Sequence, residues 1–447
     1  MYCFKIVALF LLIKVCENCD TCGEPLYLTS LIESGQIQQA KKLSRVWAKH
    51  FGCETESYSG YLTVNKNYNS NLFFWFFKSK NLNAPILLWL QGGPGATSLM
   101  GLFMLNGPFK ITKKLRIKCR TYSWTKRFSM LYIDQPVGTG FSFTDNENGY
   151  SKNLNESTDD LLNALTQFFK MFTELRGNEF YATGEAYGGK FASALAYKIH
   201  NDEKSTINLK GIAVGNAFID PISYLELSGL LYQLSLIDEQ QRVLFEENET
   251  EIKELIKEEQ YSTAFDKYDQ LFLRSFYTGK TLYNNFTGYE NFQNFLHQRN
   301  QVNLTILGEL FKDTKIRRNL HVGNLSFHVS NHPVLMALKE DFFRSAKEIL
   351  IGVMDNYRVM LYSGNLDIIV APVFNNRMLN NLKWKHSDAY LKAERKIWRT
   401  GKTEIIGYIK NVYDFYEVII RNSGHLVPLE KPKFAFEMIT KFINNQM

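Results

Sequence analysis

The 447-residue chain has no long block of lysine and arginine and none of the usual nucleic-acid-binding motifs. Its formal charge of +7 is small for this length and spread along the sequence, so the cations read as solvated surface and no nucleic-acid partner is expected. Beyond the N-terminus no apolar run is long enough to cross a bilayer, which excludes an expected transmembrane helix. Cysteine is scarce too. Of six, Cys16, Cys19 and Cys22 crowd into "CENCDTC", but no histidine or second cysteine pair accompanies them. A metal site is therefore not expected there, and neither a metal nor another cofactor is expected elsewhere. Cys53 and Cys119 could pair with each other or with Cys19 and Cys22. Charged residues at 22% and hydrophobic residues at 45% are the balance of a globular protein, which argues against bulk disorder.

What is present begins with Lys5, an apolar run from Ile6 to Ile13 and a polar stretch after it. That is the pattern of a secretory signal peptide, expected over about residues 1–18 with cleavage between Val15 and Cys22. Five acceptor patterns for N-glycosylation agree with such a route: Asn155, Asn248, Asn285, Asn303 and Asn324.

Short aromatic and β-branched runs alternate with helical patterns. Asn71–Phe77, Pro85–Leu90, Ser129–Asp134, Phe180–Gly184, Gly211–Asn216, Tyr357–Gly364 and Tyr416–Asn422 read as buried strands. Their hydrophobicity is continuous, so both faces should be covered, as in a mostly parallel sheet under helices. Ser157 or Thr158 would cap a helix carrying the stripe Leu161, Leu162, Leu165, Phe168, Phe169 and Phe172. From about Pro221 to Asn319 the sequence turns charged and helical. The expected architecture is an α/β core over residues 19–220 and 341–447, interrupted by a helical cap over 221–340.

Four segments follow predicted strands, where open α/β sheets place their ligands. "FYATGEAYGGKF" reads as strand, glycine-flanked turn and helix, the build of a nucleophile elbow, with Ala186 at the apex. "LWLQGGPGATS" frees the backbone N–H groups of Gly92 and Gly93, donors suited to an oxyanion hole. "LYSGNLDIIV" puts Asp367 beyond its strand, and "IIRNSGHLVP" puts His425 beyond the last. Nucleophile position, then Asp, then His is the triad order of α/β-hydrolases.

Together with "SNLFFWFF", "MLYIDQPVGTGFSF", "GIAVGNAFIDP" and "NSGHLVPLEKPKFAFEMITKFI", these segments resemble the serine carboxypeptidases of peptidase family S10, in particular their vitellogenic carboxypeptidase-like branch. The resemblance implies an α/β-hydrolase fold with a mainly helical cap, in a protein that is secreted or lysosomal. It implies that Asp367 and His425 are triad members and that the N–H groups of Gly93 and Tyr187 form the oxyanion hole. Trp89, Gln91, Gly92 and Glu185 would then bind the terminal carboxylate of a peptide or protein, and a homodimer is an expected assembly. Two residues depart from the pattern. The family's serine falls where this chain has Ala186, and a glutamate paired with Glu185 falls at Leu105. Thr183, Ser193 and Ser98 are too far from the apex to replace the missing hydroxyl. The expectation is a homologue unable to release C-terminal residues, acting by peptide or partner binding. The alternative is an active carboxypeptidase in which Ala186 is an engineered or erroneous residue.

Overall fold

The computed structural model describes residues 21–47, 51–53 and 55–447. The expected signal segment, with Cys3, Cys16 and Cys19, lies outside the described residues. The strands run in chain order as β1 (Arg45–Val46), β2 (Ser57–Asn65), β3 (Ser70–Phe77), β4 (Ile86–Leu90), β5 (Phe109–Ile111), β6 (Ile117–Cys119) and β7 (Ser129–Asp134). They continue as β8 (Phe180–Glu185), β9 (Leu209–Gly215), β10 (Arg358–Gly364), β11 (Lys396–Thr400), β12 (Glu404–Val412) and β13 (Phe415–Ile420). All but β5 and β6 join one sheet, in the order β1-β2-β3-β7-β4-β8-β9-β10-β13-β12-β11.

The continuous apolar runs are the middle of this sheet. β7, β4, β8, β9, β10 and β13 are mutually parallel, and β4, β7 and β8 are buried along their whole length. The expectation of a mostly parallel sheet needs correction at both margins. β1, β2 and β3 on one side, and β12 and β11 on the other, pair antiparallel. At the second margin short connections dictate this: two residues, Tyr413 and Asp414, join β12 to β13, too few for a parallel crossover.

The first long helix, Leu154–Met171, also starts earlier than the sequence suggested. Asn153 caps it, its Oδ1 accepting from the Glu156 N–H at 2.9 Å. Ser157 and Thr158 lie inside the first turn and donate back to the Leu154 carbonyl at 3.0 and 2.6 Å. The helix buries its stripe against the sheet, where the Phe168 ring meets Phe76 edge-on at 4.9 Å. Truncating such a ring would cost about 3–5 kcal/mol of stability.

Between β9 and β10 every named element is helical, the longest being Glu239–Lys257. Asp238 and Gln241 close a capping box at its start. The expected helical cap lies within this stretch, and its Tyr268, Leu273 and Phe292 share a pocket with Glu185 at the end of β8. No described helix is long and apolar enough to cross a membrane.

Candidate active site

β8 ends in a turn and re-emerges as the helix Gly188–Asn201. Ala186 stands at the apex with φ +57°, the left-handed region that non-glycine residues adopt only when their surroundings hold them. Those surroundings are explicit. The Ala186 N–H donates to Gly215 at 3.0 Å, and its carbonyl accepts from Gly189 at 2.9 Å and Phe218 at 3.0 Å. A Cβ on Gly188 would lie 2.2 Å from the Leu90 carbonyl, so only glycine lets the helix start this close to β4. The predicted elbow is present.

The loop after β4 abuts it. A Cβ on Gly92 would come within 2.8 Å of both the Ala186 methyl and the Tyr187 nitrogen. Asp134, buried at the end of β7, holds this loop by accepting from Thr97 Oγ1 at 2.6 Å and the Ser98 N–H at 2.9 Å. Burial pushes the Asp134 carboxyl up to about 6 despite these donors. The N–H groups of Gly93 and Tyr187 make no backbone hydrogen bond among the described residues. Unpaired N–H groups of this kind are what an oxyanion hole requires.

Asp367 and His425 meet as the sequence order suggested. His425 Nδ1 lies 2.7 Å from Asp367 Oδ2, and both side chains are buried. Burial pulls the imidazole pKa down, but the Asp367 carboxylate, followed by Glu185 and Glu430, outweighs it and leaves the group raised. The imidazole has no other side-chain hydrogen bond among the described residues. Thr183 is occupied with the Leu88 carbonyl, and Ser98 Oγ accepts from the Gln91 N–H. Neither these two nor Ser193 lines the cleft; Ser275 and Ser330, from the cap, do.

On the other side of the apex runs a relay. Trp89 Nε1 donates to Gln91 Oε1 at 3.0 Å, and Gln91 Nε2 donates to Glu185 Oε1 at 3.0 Å. Glu185 is fully buried, and its second oxygen has no hydrogen-bond partner among the described residues. Burial dominates its titration and, with Asp367 and Glu430, outweighs His425 and the Gln91 bond, so its pKa rises to about 7.

These pieces share one cleft of ≈ 280 Å³. Gln91, Gly92, Gly93, Glu185, Ala186, Tyr187 and His425 line it from the core. Trp89 and Asp367 stand behind them, each holding a lining residue. The cap contributes Tyr268, Leu273, Phe292 and Leu335, Phe342 follows just beyond it, and among the described residues neither lysine nor arginine lines the space. An apolar pocket with a few convergent polar groups at one end is the usual form of a small-ligand site.

The serine carboxypeptidase family model (Peptidase S10) matches residues 49–445. The chain belongs to the serine carboxypeptidase family. This serine carboxypeptidase homologue is 44% identical to the venom serine carboxypeptidase of Apis mellifera, over 96% of this chain and 92% of that protein. It is 40% identical to the vitellogenic carboxypeptidase of Aedes aegypti, over 94% and 90%. Its fold matches the prohormone-processing carboxypeptidase Kex1Δp of Saccharomyces cerevisiae with a TM-score of 0.76 at 21% identity, covering 91% of this chain and 96% of that one.

Several supporting residues of the homologue escaped the sequence reading. Asn216 Nδ2 donates to Asp367 Oδ2 at 2.6 Å, while its own N–H donates to the Tyr362 carbonyl at 2.7 Å. Its signal was a polar residue at the end of an apolar strand. Glu430 accepts from Asn294 Nδ2 at 2.6 Å and from the Gly424 N–H at 3.0 Å, beside the His425 loop. Of the cysteine pairings left open, Cys53–Cys119 is the one formed; Cys22 is also disulfide-bonded.

Proposed function

We propose that this chain is a secretory-pathway serine carboxypeptidase homologue that receives peptide C-termini but does not hydrolyse them. Ala186 carries the reading. It occupies the elbow apex, lines the cleft beside His425, and offers a methyl group where a nucleophile would stand. Alanine has no atom that attacks a carbonyl, and removing the nucleophile of a triad typically lowers kcat by about 10⁶, or about 8 kcal/mol. Gly93 and Tyr187 would still polarise a bound carbonyl, and Asp367 would still orient His425, but nothing there is left to deprotonate.

Binding is supported by the other end of the cleft. Among the described residues neither lysine nor arginine lines it, and the groups around Glu185 that would receive a terminal carboxylate are neutral donors. Gln91, Trp89 and the Gly92 backbone surround Glu185, whose carboxyl is protonated below about pH 7 and can then donate. Leu105, buried, supplies no second carboxyl to share that proton. A disulfide-bonded fold fits an oxidising compartment, and Asn155, Asn248, Asn285, Asn303 and Asn324 are all exposed, as glycan acceptors would be.

Calorimetry with a blocked dipeptide as free acid and as C-terminal amide tests this. The free acid binds at pH 5, binds more weakly at pH 8, and the amide fails to bind. Equal affinity for both, or none for either, refutes peptide capture.

A further inference from the structure

We infer that the hairpin β5–β6 is a binding site for a sulfated polysaccharide, separate from the cleft. From Phe109 to Arg127 the chain carries eight lysines and arginines and no acidic residue, which accounts for the whole of its +7 surplus. The charge is thus concentrated, contrary to the impression of a uniform spread.

One of the eight is structural. Arg120 donates to the carbonyls of Phe103, Gly107 and Phe109 at 2.7, 3.1 and 3.0 Å, which clamps the base of the hairpin. Lys110, Lys113, Lys114, Arg116 and Lys118 are exposed, and none has an ion-pair partner among the described residues. Lys110 and Lys118 stand directly opposite each other across the two strands. Like charges in that register oppose strand pairing, so the hairpin keeps a repulsion that its own folding does not need.

Other contacts hold it rigid against that repulsion. Cys119 is bonded to Cys53. The Phe109 ring packs at 5.1 Å on Phe51 and 5.6 Å on Phe77. A second cluster continues from the base. Lys80, Lys126 and Arg127 line a groove of ≈ 670 Å³ that also takes in Thr55 and Glu56, just beyond Cys53. The surface is a preorganised ridge of cations with a basic groove at its foot, and none of these cations lines the substrate cleft.

A linear polyanion with closely spaced charges fits such a ridge, since lysine- and arginine-rich stretches of this density bind such chains largely through counterion release. The choice of glycan over nucleic acid rests on the proposed secretory-pathway reading, with which the Cys53–Cys119 disulfide is consistent. An anionic membrane is the weaker match, because Leu115 is the one large apolar side chain at the tip.

The test measures heparin affinity of the full chain across a salt series, with desulfated heparin and phosphatidylserine vesicles as comparisons. Two triple variants remove the same charge: Lys113→Gln/Lys114→Gln/Arg116→Gln at the hairpin, and Lys383→Gln/Lys385→Gln/Lys392→Gln elsewhere on the surface. Heparin binds, desulfated heparin does not, and the hairpin triple loses about tenfold or more in affinity, with a salt slope lower by roughly one per cation removed. The control triple stays within about twofold of the parent, on the same counterion argument. Equal losses in the two triples, no heparin binding by the parent, or hairpin-dependent binding to vesicles in place of heparin each overturn the assignment. Unchanged thermal midpoints in both triples exclude misfolding as the cause of a loss.

Discussion

His425 Nδ1 lies 2.7 Å from Asp367 Oδ2, in the geometry that readies an imidazole to take a proton, while the apex facing the same cleft carries the methyl of Ala186. In the proposed function this pair would be a base and its orienting carboxylate, with no hydroxyl at position 186 to act on. Restoring that hydroxyl is therefore informative.

Ala186→Ser is expected to gain carboxypeptidase turnover, because the strained turn, the two free N–H groups and the Asp367–His425 pair are already built. The gain should be partial. The glutamate that the family resemblance would pair with Glu185 falls at Leu105, so on the proposed reading Glu185 ionises unshared as pH rises through about 7 and then repels the substrate carboxylate. The single variant should show a high KM and its best kcat/KM at the acidic end. Adding Leu105→Glu should lower KM and extend activity to higher pH. A single variant indifferent to pH would show that Leu105 does not matter.

Stability should fall from pH 5 to pH 8, and Glu185 should account for much of the fall. Its folded pKa of about 7 lies above the ordinary glutamate value. Between the two, the unfolded chain releases a proton that the folded protein retains, so rising pH favours unfolding. The full effect is on the order of 3 kcal/mol. Asp134, raised to about 6, acts in the same direction. His425 does too, since a raised histidine loses its stabilisation as pH climbs through the folded value. Glu185→Gln should flatten the pH dependence of the denaturation midpoint. An unchanged dependence would locate the effect elsewhere.

Asn216→Ala should destabilise the fold by about 1–3 kcal/mol, because Asp367 Oδ2 would lose a donor at 2.6 Å inside the core. In the Ala186→Ser background it should lower kcat by about tenfold with little change in KM, as expected when a catalytic pair is only misplaced. A KM effect alone would assign Asn216 to substrate binding instead.

The middle of the sheet was legible in the sequence because strands buried on both faces are written as unbroken apolar runs. β11 and β12, with one face near solvent, mix apolar and polar residues and gave no such signal. The elbow, the glycine loop, Asp367 and His425 were legible because strand ends and glycines mark them locally. Asn216 and the cap residues Tyr268, Phe292 and Phe342 were not, since only the folded chain brings them to the cleft. The cationic hairpin was overlooked because Ile111, Thr112, Leu115 and Ile117 interrupt its charges, and the pairing of β5 with β6 gathers them.

In the proposed function the site is built but has no nucleophile. Treating the purified chain and Ala186→Ser with a fluorophosphonate probe, and locating adducts by mass spectrometry, tests it most directly. No adduct is expected on the parent chain, and one on the variant, at position 186. Stoichiometric labelling of the folded parent at any residue, Ser275 or Ser330 included, would contradict it.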